Sequence, residues 1–431
     1  MISLLLIILP LLLIGVISII DSVKIRCFVL YSYGFVQVLL AFYSYSMGMQ
    51  HVPELDGIIR LNGLAGAFLV GFTGIQFVSL LAMPYQDSYK ANQIGLLLVA
   101  FFSILTIVSS SNVIFAISFS LLLFTPFFYS LMKRDESGNT HLFFIIAMIT
   151  ALLVLLGGDY ESNSSRSLNI PIFLAACLRI GLFPFHIWIR RIVMQLPIQW
   201  SILFFIAYPS VALFLPLDST LPDSFYNEVL LHMAWISALY GGCLALTQNE
   251  LRSTFYYLLL SLYGIIGVGL SLVSSMASVS GVLFYFMSSG LAFAGFGLSI
   301  ELIESRIGTV RLFSHHGLIE QMPKLGILFL LFGLGSVGFP GMCVFIGEEV
   351  LLKEIYSHAG LVVVPILFTL SLNGVTVLRW FFSLFYGEST MKGGHFELLM
   401  REKFAFFILL AIIIGIGLYP QPLFELGESL R

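Results

Sequence analysis

Leu178-Arg179-Ile180-Gly181-Leu182-Phe183-Pro184-Phe185-His186-Ile187-Trp188 is an apolar run that carries an arginine and a histidine and is interrupted by Gly181 and Pro184. Proline removes an intrahelical hydrogen bond and glycine weakens a helix, so this spacing predicts a helix that breaks in mid-run. A second stretch of the same kind, Ser336-Val337-Gly338-Phe339-Pro340-Gly341-Met342-Cys343-Val344-Phe345-Ile346-Gly347-Glu348-Glu349, follows about 155 residues later. At membrane depth, unwound backbone is tolerated only inside protein or beside a wet cavity. Paired broken helices in two halves of one chain point to an ion or substrate path.

The composition puts both stretches in a membrane. The chain has 431 residues, of which 20 are Lys or Arg and 23 are Asp or Glu, so 10% are charged. An ordinary soluble domain carries about 25%. Hydrophobic residues make up 59% and aromatics 15%, and the mean hydropathy is +1.01. A soluble globule of this size cannot hide so much apolar surface. A soluble enzyme, a nucleic-acid binder and a disordered linker are therefore excluded. The apolar runs are continuous and about 20 residues long, which excludes a β-barrel of alternating strands about 10 residues long. The expected fold is all-α and polytopic. The net charge of −3 is silent about partners.

Cys27, Cys177, Cys243 and Cys343 lie singly in apolar runs, without CxxC or Cys/His ligand spacing. They read as small buried hydrophobes, and neither an iron–sulfur cluster nor a zinc site is expected. No nucleotide-binding glycine motif is present. Neither a quinone nor a flavin site can be read. The chain is expected to hold no cofactor and no metal, and to contain no redox or hydrolytic site of its own.

A 19-residue hydropathy window gives fourteen spans, near 3–20, 25–46, 62–83, 93–110, 112–132, 141–158, 169–189, 197–216, 229–248, 255–275, 279–301, 325–356, 361–386 and 403–419. They form one integral-membrane domain over 1–431, and the apolar Met1–Ile20 reads as a retained first span. Alternating loops then hold fourteen basic residues on one side, among them Lys24, Lys90, Arg190, Arg252 and Lys403. Four lie on the other: Arg60, Arg166, Lys353 and Arg431. The positive-inside rule places both termini on the outer side. The two breaks, near 180–186 and 338–348, are spaced as two inverted five-helix repeats over about 93–216 and 229–386 would space them.

With charge so scarce, each ionisable group inside a span is a candidate. Arg179 cannot readily shed a proton and needs a counter-charge, water, or an end of the span to reach toward. His186 has an unperturbed pKa suited to proton transfer, and would equally serve as a hydrogen-bonded structural residue at the break. Glu348 after the second break is a candidate proton carrier. Glu349, with Lys353 and Glu354 close by, reads as half of a rim salt bridge. Arg379 lies well inside the thirteenth span and is a candidate partner for a glutamate. Glu301 and Glu304, at the end of the eleventh, would pair with Arg306. Residues 91–132, 192–217 and 253–300 hold no Asp, Glu, Lys, Arg or His at all.

Three stretches resemble one family over roughly residues 170–390. They are Ala245-Leu246-Thr247-Gln248-Asn249-Glu250-Leu251-Arg252 with Tyr257, Ser261 and Gly264; Leu178 to Trp188 with Met194, Gln195, Leu196, Pro197 and Ser201; and Met322-Pro323-Lys324-Leu325 followed by Gly338 to Glu348. Their order resembles the proton-translocating antiporter-like family. Its members are the pump-arm subunits of respiratory complex I, membrane hydrogenases, Mrp-type Na+/H+ antiporters and two-component inorganic-carbon transporters. The third stretch is most similar to the middle pump subunit of complex I. The long lateral helix of the largest pump subunit is not expected.

The resemblance implies a path through a glutamate in the fifth span, a lysine in the broken seventh, a lysine in the eighth and a glutamate or lysine in the broken twelfth. Here Glu348 matches the last and Arg179 stands in the seventh. The fifth-span position falls on Leu121 and the central one on Val211. Phe205 and Met287-Ser288-Ser289-Gly290 stand where the family has His and Lys. The path candidates are thus Arg179, His186, Glu348 and Arg379, with Glu250, Arg252, Glu301, Glu349 and Lys353 behind them. The implied function is proton translocation by a membrane subunit of an NADH:quinone oxidoreductase-type or related assembly. The alternatives are a non-pumping scaffold on the same fold and a subunit of a cation/proton or inorganic-carbon uptake system. Implied partners are other integral-membrane subunits, protons or monovalent cations and the lipid bilayer, with no nucleic acid. The implied location is a bacterial or mitochondrial inner membrane.

Overall fold

A computed structural model describes residues 2–48, 63–108, 112–133, 140–156, 170–204, 224–272, 276–312, 317–387 and 397–421. These residues are helical throughout, apart from turns and one isolated bridge between Glu250 and Arg311. The helices are α1 (Ile2–Ile19), α2 (Val23–Gly48), α3 (Gly63–Ala82), α4 (Lys90–Val108), α5 (Asn112–Lys133), α6 (Thr140–Leu156), α7 (Ile170–Ile180) and α8 (Ile187–Gln195). α9 is described over 198–204. Then come α10 (Ser224–Thr247), α11 (Leu251–Ser271), α12 (Met276–Ile307), α13 (Pro323–Gly335), α14 (Cys343–Ala359), α15 (Val363–Phe385) and α16 (Met400–Leu418).

Helix occupies each of the fourteen expected spans in whole or in part, and the two expected breaks are real interruptions. The seventh span is α7 and α8, separated by Gly181 at φ +70° and a cis Phe183–Pro184 bond. The twelfth is α13 and α14, separated by a turn with Gly338 at φ +79° and Gly341 at φ +94°. Only glycine takes those left-handed conformations without strain. Among the described residues, seven helical stretches are long and apolar enough to cross a membrane by length and composition. Outward faces are apolar, as at Val364, Leu367, Phe368, Val375 and Phe382 on α15, which suits lipid rather than water. The chain is an integral membrane protein. Cys27, Cys177 and Cys343 are buried as expected, whereas Cys243 is exposed on α10.

The chain divides into two compact units. One comprises Met1–Ile180 with Leu203–Ser224 and the last three residues, and the other Gly181–Ile202 with Phe225–Glu428. The division runs through the first break. In the first unit α1 packs on α2 and α4, α2 on α3, and α4 to α7 each on the next. At the turn joining α1 to α2, Lys90 donates to Asp21 at 2.6 Å. That bond and the lysine's charge hold the exposed Asp21 carboxyl below the usual carboxylate range. The buried Arg26 clamps the same turn through the carbonyls of Ile20, Asp21 and Ser88.

In the second unit α11 is the central helix and is buried along its whole length. It packs against α8, α12, α14 and α15. α10 reaches it through small residues. A Cβ on Gly264 would lie 2.3 Å from the Ala238 nitrogen, and one on Gly241 would lie 2.6 Å from the Ser261 nitrogen. Such backbone-to-backbone approach is how helices associate where no hydrophobic force drives them. Arg252 at the start of α11 bonds Glu304 of α12 at 2.5 Å and the Leu196 carbonyl at the end of α8 at 2.9 Å. Arg306 bonds Glu402 of α16 at 2.7 Å. The expected pairing of Glu304 with Arg306 is therefore replaced by two longer-range pairs.

Candidate functional site

The second break builds the more complete site. Gly341 and Gly338 turn the chain through the interruption, and α14 restarts at Cys343. That start puts Glu348 in the second turn of α14, buried at 7% exposure. Its carboxylate folds back over Gly338. A Cβ at residue 338 would stand 1.8 Å from Oε2 and 2.7 Å from Oε1. Gly338 is thus required twice, by its φ and by the carboxylate that occupies the space beside it. Gly347, one residue earlier, lets α14 lie against Tyr285 of α12, where a Cβ would meet the Tyr285 Cα at 2.8 Å. Glu348 Oε1 is buried and accepts no hydrogen bond among the described residues. A carboxyl with a free oxygen, seated on unwound backbone, can take up and release a proton through water.

At the first break, His186 is the N-cap residue of α8 and is buried. Its ring stacks on Phe183, with centroids 5.8 Å apart, and meets the edge of Tyr240 at 5.2 Å. The His186 carbonyl accepts from the Tyr256 hydroxyl at 2.7 Å, and Ser237 accepts from the Phe183 N–H at 2.8 Å. His186 Nδ1 is buried and unpartnered among the described residues. The ring is therefore held by packing, while its nitrogen stays available to a proton.

Arg179 is fully buried at the end of α7. Its guanidinium bonds the Phe119 carbonyl of α5 and covers the Phe119 ring. It does not snorkel to a span end. The position it reaches lies within Ser118-Phe119-Ser120-Leu121, beside the residue where the resemblance implies a glutamate. Arg379 differs from expectation. Among the described residues no carboxylate lies within ion-pair distance, and its guanidinium bonds the Leu246 carbonyl near the end of α10. A cation there satisfies a carbonyl left free at a helix C-terminus.

The remaining candidates lie away from the two breaks' buried groups: Glu250 precedes α11, Glu301 is near the end of α12, and Glu349 and Lys353 are midway along α14. Glu250 faces Arg311 at 3.5 Å across the isolated bridge. Glu301 is buried on α12. Glu349 and Lys353 are exposed on α14 and form no ion pair among the described residues, so the expected rim bridge is absent. His358 faces Glu354 instead, at 3.5 Å. Val211 and Phe205 lie outside the described residues. Ser288 and Ser289 are buried, and each hydroxyl bonds a carbonyl of its own helix, Tyr285 and Phe286 respectively.

The two breaks meet the same helix at different heights. The first touches α11 at Tyr256. α14 touches it at Gly269, where a Cβ would lie 2.5 Å from Leu351. At 1.5 Å per residue these points are about 20 Å apart. Between them Asn373 of α15 donates to Ser261 at 2.8 Å, with its Oδ1 unpartnered. Sequence reading passed over Tyr240, Tyr256, Tyr285 and Asn373. Uncharged residues in apolar runs carry no local signal, although the spacing of Tyr257, Ser261 and Gly264 marks the buried side of α11.

The family described as NADH:quinone oxidoreductase/Mrp antiporter, TM matches residues 105–373, well over half the chain. The chain is 27% identical over 297 residues to NADH-quinone oxidoreductase subunit M of Rickettsia felis, which covers 65% of this chain and 60% of that protein. It is 26% identical over 281 residues to NADH-ubiquinone oxidoreductase chain 4 of Chondrus crispus, covering 63% of this chain and 56% of the relative. It thus matches well under two thirds of the length of these curated relatives. A chain of the Thermus thermophilus respiratory complex I superposes with a TM-score of 0.85 at 19% identity, covering 100% of this chain and 99% of that one. A chain of the Mrp complex from a Dietzia species superposes with a TM-score of 0.85 at 16% identity, covering 100% and 96%. These superpositions establish a common fold, and with the family match over 105–373 the chain belongs to the NADH:quinone oxidoreductase/Mrp antiporter transmembrane family.

Proposed function

We propose that the chain is an antiporter-like membrane subunit of a complex I-type or related multisubunit assembly and contributes to proton translocation across an energy-coupling membrane. One observation carries this reading: the buried Glu348 carboxylate, with an unpartnered oxygen, seated on the glycine turn of a broken helix. His186 and Arg179 are proposed as the groups serving the first break, with the Asn373–Ser261 pair between. Arg379, Arg252, Glu250, Glu301, Glu349 and Lys353 are assigned supporting places. The partners are other integral-membrane subunits, protons or monovalent cations and the bilayer itself. The membrane is a bacterial or mitochondrial inner membrane with both termini on its outer side.

The test is proton flux in proteoliposomes holding the intact assembly, with Glu348→Gln, Arg179→Ala and His186→Ala. The pumping reading expects Glu348→Gln to abolish this subunit's share of the flux. Wild-type flux in all three variants would sink it. A scaffold role is the second reading, favoured by Leu121 and by the self-bonded Ser288 and Ser289 at positions where the resemblance implies charge. It expects no variant to change flux while assembly stays intact. Co-purification separates both from an uptake system, which would bring down no hydrophilic redox arm.

A further inference from the structure

The first unit holds a polar cluster away from both breaks. Gln37 of α2 is fully buried, and neither its Oε1 nor its Nε2 has a hydrogen-bond partner in the protein. Its amide comes within weak hydrogen-bonding reach of the Tyr33 hydroxyl, one turn earlier on the same helix, without a well-formed bond. From α3, Gln76 brings its Nε2 within 3.5 Å of that hydroxyl, while its Oε1 is buried and unpartnered. Lower on α2, Gln93 of α4 reaches the Cys27 sulfur at 3.8 Å, and its Oε1 is also buried and unpartnered. Cys27, Tyr33 and Gln37 are spaced over about 15 Å of α2.

A buried amide without partners is strongly disfavoured, and in a membrane no solvent outside the helices can relieve it. Gln37, the unpartnered oxygen of Gln76 and the Tyr33 hydroxyl form a built polar site on neighbouring helices, and the unpartnered oxygen of Gln93 lies farther along α2 beside Cys27. We infer that Tyr33, Gln37 and Gln76 enclose a buried water site between α2 and α3, continued toward Gln93. The chemistry selects water. The free groups are both donors (Gln37 Nε2) and acceptors (the three Oε1 atoms), the mixture that a molecule giving and accepting two hydrogen bonds satisfies. A cation would use the acceptors and repel the donors, and an anion would do the reverse. No titratable carboxyl or amine belongs to the cluster, so the water is held by neutral dipoles alone.

X-ray hydroxyl-radical labelling of the full chain in lipid nanodiscs, read at single residues by mass spectrometry, tests this. Radicals formed from bound water mark adjacent side chains. Tyr33 should be oxidised several-fold faster than Tyr256, which is equally buried but donates to a protein carbonyl. In Gln37→Leu/Gln76→Leu, the Tyr33 rate should fall to the Tyr256 rate. If that variant does not fold, Gln37→Met keeps the volume and should at least halve the rate. Equal rates in the wild type, or a Tyr33 rate that ignores these substitutions, would overturn the water site. So would labelling that changes when sodium replaces potassium, because the occupant would then be a cation.

Discussion

Gly338→Ala separates two costs that the second break combines. The backbone cost follows from φ +79°, and a left-handed alanine loses about 1–2 kcal/mol. The contact cost follows from a Cβ 1.8 Å from Glu348 Oε2. The carboxylate must retreat by about 1.5 Å to regain ordinary contact. Gly341→Ala is the matched control, because Gly341 has φ +94° and nothing within 4 Å of its Cβ. It should lose about 1–2 kcal/mol in thermal stability and keep its flux per folded assembly. Gly338→Ala should lose more stability and, through the displaced carboxylate, on the order of tenfold or more of the flux. Adding Glu348→Ala should return its stability toward that of the control, with a coupling of about 1–3 kcal/mol. Proteoliposome flux normalised to folded assembly, with thermal melts of the same samples, measures both. If Gly338→Ala transports as well as Gly341→Ala, the carboxylate's seat on residue 338 is irrelevant and the reasoning fails.

Three further outcomes follow from the helix contacts. Gly264→Ala places a Cβ 2.3 Å from the Ala238 nitrogen and should cost about 1–3 kcal/mol in a thermal melt, whereas Gly415→Ala, with nothing within 4 Å, should gain up to about 1 kcal/mol. Arg252→Ala removes one ion-pair partner of the mostly buried Glu304 and the bond to the Leu196 carbonyl. It should cost about 2 kcal/mol, and Arg252→Lys should recover only part because one ammonium cannot span both acceptors; equal melts for the two would contradict this. Asp21 has a lowered folded-state pKa, so its tie to Lys90 is complete above the ordinary carboxylate pKa near 4 and is lost as pH falls through the lower folded value. Asp21→Asn should therefore lower stability slightly at neutral pH, leave it unchanged below the folded pKa, and so flatten the acid limb of the stability–pH curve.

Composition and hydropathy made the helical membrane fold legible, and Gly181, Pro184, Gly338 and Gly341 marked both interruptions. Those signals are local: each residue acts on its own backbone or on the solvent it faces. The pairings were not legible. Glu304 meets Arg252 and Arg306 meets Glu402 because helices distant in sequence lie side by side. A lone arginine in a span suggests an acidic partner, yet a helix end offers carbonyls that serve it as well, as at Leu246. The seat of Glu348 on Gly338 spans ten residues across a turn, and only the turn's geometry brings them together. Gln37 and Gln76 carry no local signal beyond polarity in an apolar run, and only their burial and their unpartnered amide atoms distinguish them.

The burial of α11 on every side has a consequence for how the chain responds to its surroundings. α15 offers an apolar outer face to its surroundings, whereas α11 is buried among the other helices. Changes in bilayer thickness or acyl composition should therefore be absorbed by tilting of the outer helices, as mismatch usually is. The amides of α11 should be the last in the second unit to exchange with deuterated solvent. The helix on which both breaks bear then acts as a fixed post, holding its register while the lipid around the protein varies.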